Sequence, residues 1–167
     1  MEKIPVRFVA AAPDDIPVIG NLARHIWHAH YPGIITVEQI EYMLAWMYSE
    51  ETLARDMREG CRFELMLAAD GAPVGFMAYL PKESGVFLSK LYVLSEWHGR
   101  GLGRAALEAL RARAEGFGLR SFYLVVNKRN EKAIRAYERF GMYRESDVVS
   151  DIGGGFVMDD WQMRLDW

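Results

Sequence analysis

The chain has 167 residues, enough for one domain with a continuous hydrophobic core, and its 51% hydrophobic and 26% charged content is ordinary for a soluble globular protein. The net charge of −3 argues against a nucleic-acid partner, which requires a basic surface to neutralise phosphates. The single cysteine, Cys61, cannot form an internal disulfide and has no clustered histidines with which to build a zinc site, so no metal is expected and Cys61 reads as a small packed side chain.

Residues 6–12 are apolar but too few to span a membrane, and no signal-peptide cleavage pattern follows. A cytoplasmic protein without a membrane partner is expected. No repeat or linker-like run breaks the chain, so residues 1–167 read as a single domain. Residues 6–10 predict a first strand. Asp14 and Asp15 can cap a helix that tolerates Pro17 in its first turn. Ile16, Ile19, Ala23, Ile26, Trp27 and His30 follow at helical spacing, and Tyr31-Pro32-Gly33 ends the helix. Thr36-x-x-Gln39 has the form of a capping box ahead of Ile40, Met43, Leu44 and Met47. A short third helix is predicted at about 51–59, stopping at Gly60.

Strands come next. Alternation in 62–69, the Asp70-Gly71 turn signal, and apolar runs at 74–80 and 86–94 predict a three-stranded antiparallel meander. Leu102, Ala106, Ala109, Leu110 and Phe117 mark a helix closed by Gly118. Residues 121–126 are β-rich. Asn130 caps a helix carrying Ala133, Ile134, Tyr137 and Phe140, which ends at Gly141. Residues 143–165 read as two strands around three glycines, 153–155. The order is that of an α+β domain built on one central sheet.

The stretch 91–104 carries the most chemical information. A strand runs into Gly99, Gly101 and Gly103, and a helix begins there. Glycines allow close backbone approach and positive φ. A helix start offers free N–H groups and the positive end of the dipole. Together they suit a pyrophosphate, with Arg100 and Arg104 able to add charge. The segment Gly101-x-Gly103-x-x-Ala106 also fits a dinucleotide fingerprint. That reading requires a carboxylate at the end of the next strand, where Val126-Asn127-Lys128 stands instead, and it opens a parallel βαβ unit rather than following a meander.

Two motifs in this region resemble those of the GNAT superfamily of acyltransferases. His98-Gly99-Arg100-Gly101-Leu102-Gly103 is similar to the family's Gln/Arg-x-x-Gly-x-Gly/Ala loop, with His98 in the first position. Asn130-x-x-Ala133-x-x-x-Tyr137, followed by Gly141-Met142, resembles its Asn-x-x-Ala-x-x-x-Tyr-x-x-x-Gly-Phe block. The resemblance is clear over residues 86–142 and implies the GNAT fold, a mixed and mostly antiparallel sheet flanked by helices, with acetyl-CoA as donor. It implies that the backbone of Leu91, Tyr92 and Val93 pairs with the pantetheine arm. His98, Gly99, Arg100, Gly101, Leu102, Gly103 and Arg104 would hold the pyrophosphate, and Asn130, Ala133 and Tyr137 would border the pantetheine and thiol.

Amine acetylation needs a deprotonated amine, a stabilised oxyanion and a protonated leaving thiolate. By the resemblance, the N–H of Val93 or its neighbour polarises the thioester carbonyl and Tyr137 is the candidate general acid. Read by spacing alone, Tyr137 is a core aromatic on an amphipathic helix. Glu83 and Glu96 flank the central strand, but neither is assigned as base. Trp27, His28 and Tyr31, with His30, Tyr42 and Trp46 nearby in sequence, are candidates for binding the amine through cation–π contact. The acidic hairpin with Asp147, Asp151, Asp159 and Asp160 resembles that of spermidine/spermine-type N-acetyltransferases, which suggests a polyamine-like acceptor. Acetylation of a protein N-terminus or lysine is a second reading, and a non-catalytic acyl-CoA sensor a third. A homodimer is compatible with residues 156–165 pairing across subunits.

Overall fold

The structure is a computed structural model that describes residues 6–167. The strands are β1 (Arg7–Ala10), β2 (Arg62–Leu67), β3 (Pro73–Lys82), β4 (Gly85–Val93), β5 (Ser121–Asn127), β6 (Tyr143–Gly153) and β7 (Phe156–Asp166). The helices are α1 (Ile16–His30), α2 (Val37–Met47), α3 (Glu50–Arg58), α4 (Leu102–Gly116) and α5 (Glu131–Phe140), with short 3-10 turns at Pro13–Asp15 and Ser95–Trp97. Among the described residues, no helix is long and apolar enough to cross a membrane.

The strands hydrogen-bond in the order β1-β2-β3-β4-β5-β7-β6. β1 with β2, β2 with β3, β5 with β7 and β6 with β7 are antiparallel, whereas β4 and β5 are parallel, paired at Val86 with Phe122 and Phe87 with Tyr123. The sheet is therefore mixed and mostly antiparallel, as expected. The two-residue turn between β3 and β4 forces an antiparallel return, and at the open end of this hairpin the Leu94 N–H donates to the Val74 carbonyl at 2.9 Å.

Two details differ from the sequence reading. Asp15 does not cap α1 through its side chain. Its Oδ2 instead accepts the Ala12 N–H at 2.8 Å, so the carboxylate closes the preceding 3-10 turn. The second concerns residues 156–165. β7 lies between β5 and β6: residues 160–164 pair with both neighbours, residues 156–159 with β6 alone and residues 165–166 with β5 alone. The outer strands are β1 and β6.

The chain divides into two compact units, one taking in the chain up to Leu80 with Lys90–Ala106, the other Pro81–Ser89 with Leu107–Trp167. In the first, the stripes of α1, α2 and α3 bury Ile19, Ala23, Ile26, Ile40, Met43, Leu44 and Leu53. Helix starts are capped as their sequences allow: Thr36 Oγ1 accepts the Gln39 N–H and Ser49 Oγ accepts the Thr52 N–H. Gly75 on β3 is required by close approach, since a Cβ there would meet the Tyr92 carbonyl oxygen at 2.6 Å. Lys90 is buried beside Asp56 at 4.0 Å, with its ammonium over the rings of Tyr48 and Phe63. In the second unit, Phe122, Leu124 and Met163 form the core with Ile134 of α5, and Phe122 packs on Phe140 and Trp167.

Candidate active site

The first unit presents the end of β4 and the loop that follows. Leu91, Tyr92 and Val93 are half-buried, while His98, Gly99, Arg100, Gly101 and Arg104 are exposed. Gly99 and Gly101 have φ of 75° and 80°, values that a side chain resists. Nothing lies within 4 Å of where a Cβ would stand on Gly99, Gly101 or Gly103. The helix start opens on this free space. Leu102 is buried and anchors α4, and the Ala105 N–H accepts its place in the helix by donating to the Gly101 carbonyl at 3.0 Å. The N–H groups of a helix's first turn have no partner within the helix and stand at the positive end of its dipole. This cradle fits a pyrophosphate in shape and charge.

His98 has a role the spacing does not reveal. Its Nε2 donates to the Val93 carbonyl at 2.9 Å, tying the loop back to the last residue of β4. Gln, Arg and His share an N–H donor on a side chain long enough for this reach. Arg100 stacks on Trp97 at 4.7 Å, which fixes its guanidinium beside the loop.

An aromatic cluster lies behind β4 in the same unit. Trp27 stacks on Tyr31 at 4.5 Å, on Tyr92 at 5.7 Å and against Tyr48 at 5.8 Å, while Phe76 contacts Tyr48 and Tyr92. The hydroxyls of Tyr31 and Tyr92 are 3.4 Å apart. Trp27 Nε1 and the Tyr48 hydroxyl are buried, with Trp27 and Tyr92 beside the Tyr48 hydroxyl but neither making a well-formed hydrogen bond to it. Burial pushes the Tyr48 hydroxyl well above its ordinary pKa, so it stays a neutral donor. Buried unpaired donors converging among aromatic faces are what a polar ligand or ordered water would satisfy.

The structure thus joins Trp27 and Tyr31 and leaves His28 out. His28 is exposed, and its Nε2 pairs with Glu41 of α2 at 2.6 Å. On a helix, adjacent residues point about 100° apart, so Trp27 turns inward while His28 turns to solvent. His30 contacts the Tyr31 ring at 5.0 Å, and Trp46 is 48% exposed. Tyr48 and Phe76 were missed. Alternation in β3 places Phe76 on an inward face, but no spacing rule brings it to Trp27. Glu83 and Glu96 are exposed. Hydrogen bonding, first to its own backbone N–H and also to Ser95, holds the Glu96 carboxyl below the usual range, which suits a surface charge rather than a base.

In the second unit, Asn130 is 6% exposed and its Oδ1 accepts the Ala133 N–H at 3.4 Å, capping α5. Tyr137 is half-buried on the face that also carries Ala133, Ile134 and Phe140. Lys128 is held by Asp147 and Asp159 and lies 4.5 Å from the centre of the Trp161 ring. Asp160, the next residue of β7, is 3% exposed.

The family described as Acetyltransferase (GNAT) family matches residues 23–142. An uncharacterized N-acetyltransferase of Mycobacterium tuberculosis is 31% identical over 128 residues, covering 76% of this chain and 82% of the relative. The spermine/spermidine N(1)-acetyltransferase of Bacillus subtilis is 29% identical over 137 residues, covering 75% of this chain and 88% of the relative. In fold, the chain is similar to the PaiA N-acetyltransferase of Thermoplasma acidophilum, solved in complex with coenzyme A. The TM-score is 0.80 at 22% identity, over 98% of this chain and 100% of that one. The glycine cradle at the start of α4, the second motif on α5 and these matches together establish that the chain belongs to the GNAT family of N-acetyltransferases.

Proposed function

We propose that the chain transfers the acetyl group of acetyl-CoA to a primary amine of a small cationic molecule, with a polyamine as the first candidate. The observation that carries this reading is the cradle of Gly99, Gly101 and Gly103, open at every Cβ position and set at the N-terminus of α4. The loop from His98 to Arg104 would hold the pyrophosphate through backbone N–H groups. The backbone of Leu91, Tyr92 and Val93 would pair with the pantetheine like an added strand. Asn130 and Ala133 carry over by motif to the pantetheine and thiol.

The amine attacks the thioester carbonyl directly. The N–H of Val93 or its neighbour stabilises the oxyanion. His98 supports that step indirectly, by holding the adjoining Val93–Leu94 peptide through the Val93 carbonyl. Tyr137 is the general acid that protonates the leaving thiolate. Trp27 and Tyr31 receive the acceptor, whose charge suits their ring faces. The spermine/spermidine activity named for the Bacillus subtilis relative supports the polyamine.

Thiol release from acetyl-CoA tests the reading across spermidine, diamines, amino acids, aminoglycosides and a peptide. Release that depends on a small amine supports it. Release with the peptide alone favours a protein acetyltransferase, and tight acetyl-CoA binding without release on any amine favours a sensor. Tyr137→Phe is expected to lower kcat by roughly 10²-fold or more while acetyl-CoA affinity is kept. Unchanged turnover would remove Tyr137 from the mechanism.

A further inference from the structure

Asp160 stands apart from the other carboxylates of the acidic hairpin. It is 3% exposed, and its Oδ1 is buried without a hydrogen-bond partner. A buried, unpaired carboxylate oxygen is costly, so a fold that keeps one points to a ligand or a proton at that place.

The strand register explains why nothing neutralises it. On β7, Asp160 stands opposite Asn127 of β5 and Val148 of β6. Successive strand residues face opposite sides of a sheet. Asp159 and Trp161 therefore share one side, where Asp147, paired with Trp161, also lies. Lys128 is engaged there by Asp147, Asp159 and the Trp161 ring. That is the side of α5, since Trp161, Ile134, Arg135 and Lys128 line one groove. Asp160 points to the other side, away from this cation. Burial first, and then the charge of Asp159, raise its carboxyl from 3.8 to about 6, against a smaller opposing pull from Lys128. Such a carboxyl exchanges protons near neutral pH.

Its position along the sheet is equally specific. Asn127 ends β5, and the Asn130 N–H donates to the Asn127 carbonyl at 2.9 Å. Asp160 is thus registered on the C-terminal end of the strand that leads directly into Asn130. Ligands of sheets with parallel pairs collect at such ends.

We propose that Asp160 binds the ammonium of the acceptor on the sheet face opposite α5 and takes the proton that must leave before the nitrogen can attack. This rests on the assignment of Asn130 and Ala133 to the thiol end of acetyl-CoA. The R–NH3+ group docks on the carboxylate and gives it one proton. The freed nitrogen forms a C–N bond to the thioester carbonyl carbon. The tetrahedral adduct collapses with cleavage of C–S. The thiolate receives a proton through Tyr137, which recovers the second proton lost by the nitrogen, and Asp160 returns its proton to solvent. The products are an amide, a free thiol and one proton. One compact carboxylate selects an alkylammonium, the group at the end of a diamine or polyamine.

The test compares the wild type with Asp160→Asn and Val149→Ala. Acetyl-CoA affinity is measured by calorimetry, spermidine binding on the CoA-loaded protein, and CoA release with spermidine and with n-butylamine. Asp160→Asn is expected to keep acetyl-CoA affinity, weaken spermidine binding and lower kcat/KM by about 10²–10³-fold. Val149→Ala, altered at an exposed position of β6, is expected to stay within about threefold of the wild type. Turnover retained in Asp160→Asn overturns the proposal. So does a wild type that binds acetyl-CoA yet neither binds nor acetylates either amine. A wild type that fails to bind acetyl-CoA overturns the cofactor assignment itself, and the proposal falls with it.

Discussion

Asp160 and Lys90 are both charged residues at 3% and 5% exposure. Lys90 is compensated by Asp56 and two aromatic faces, although burial still lowers its pKa. Asp160 Oδ1 is not compensated. With a folded pKa of about 6 against 3.8, the folded state holds the Asp160 proton more tightly than the unfolded chain does. The stability this contributes is fully present below about pH 4 and is lost as pH rises through about 6. Asn is neutral at every pH. Asp160→Asn should therefore melt a few degrees higher than the wild type at pH 8, with the difference shrinking toward pH 4. A melting temperature lower than wild type at pH 8 would mean that the carboxylate has a partner in the folded protein. A gain in stability coupled to a loss of turnover is the pattern of a strained functional group.

At the level of elements, β4 and the loop leading into α4 were the most legible. Alternating glycines before a helix announce themselves in any sequence. What no spacing rule displays is the cross-strand neighbour. Gly75 is dictated by the Tyr92 carbonyl, seventeen positions away in the chain, and His98 by the Val93 carbonyl. Lys90 shares the register of Val86 and Leu88, an inward face on which a lysine is unexpected until Asp56 is placed beside it. Gly101→Glu tests the loop directly. The position has φ of 80° and open space, so the variant should fold with a cost of about 1–2 kcal/mol for the left-handed backbone. Acetyl-CoA affinity should drop by roughly 10²-fold or more by calorimetry, because a carboxylate would stand where phosphates must approach. Unchanged affinity would remove the loop from the cofactor site.

At the level of the whole chain, the order of strands and helices was readable because each element carries its own period and its own stop signal. Gly60, Gly118 and Gly141, with φ of 97°, 75° and 110°, end helices as their sequence positions announce. The order of strands within the sheet was not readable. A hairpin signal at 153–155 says that β6 and β7 pair, but not which of them meets β5. The aromatic cluster was half legible for the same reason. Trp27 and Tyr31 follow from α1 and its end, whereas Tyr48 and Phe76 join them only through contacts remote in sequence.

The burial of Lys90 and the capture of Lys128 also bear on how the protein survives its own reagent. Acetyl-CoA acylates accessible lysines slowly without any catalyst, and a protein that holds it continuously is the nearest target. The chain has five lysines in a set of 20 basic residues. Of the four among the described residues, Lys90 is buried and Lys128 is held by two carboxylates, whereas Lys82 and Lys132 are exposed. After prolonged incubation with excess acetyl-CoA, peptide mass spectrometry should find acetyl marks at Lys82 and Lys132, with Lys90 unmodified and Lys128 far less modified than either. Arginine supplies the remaining positive charge of the molecule, and its guanidinium is inert to thioesters, so the surface can be basic beside a thioester without becoming its substrate.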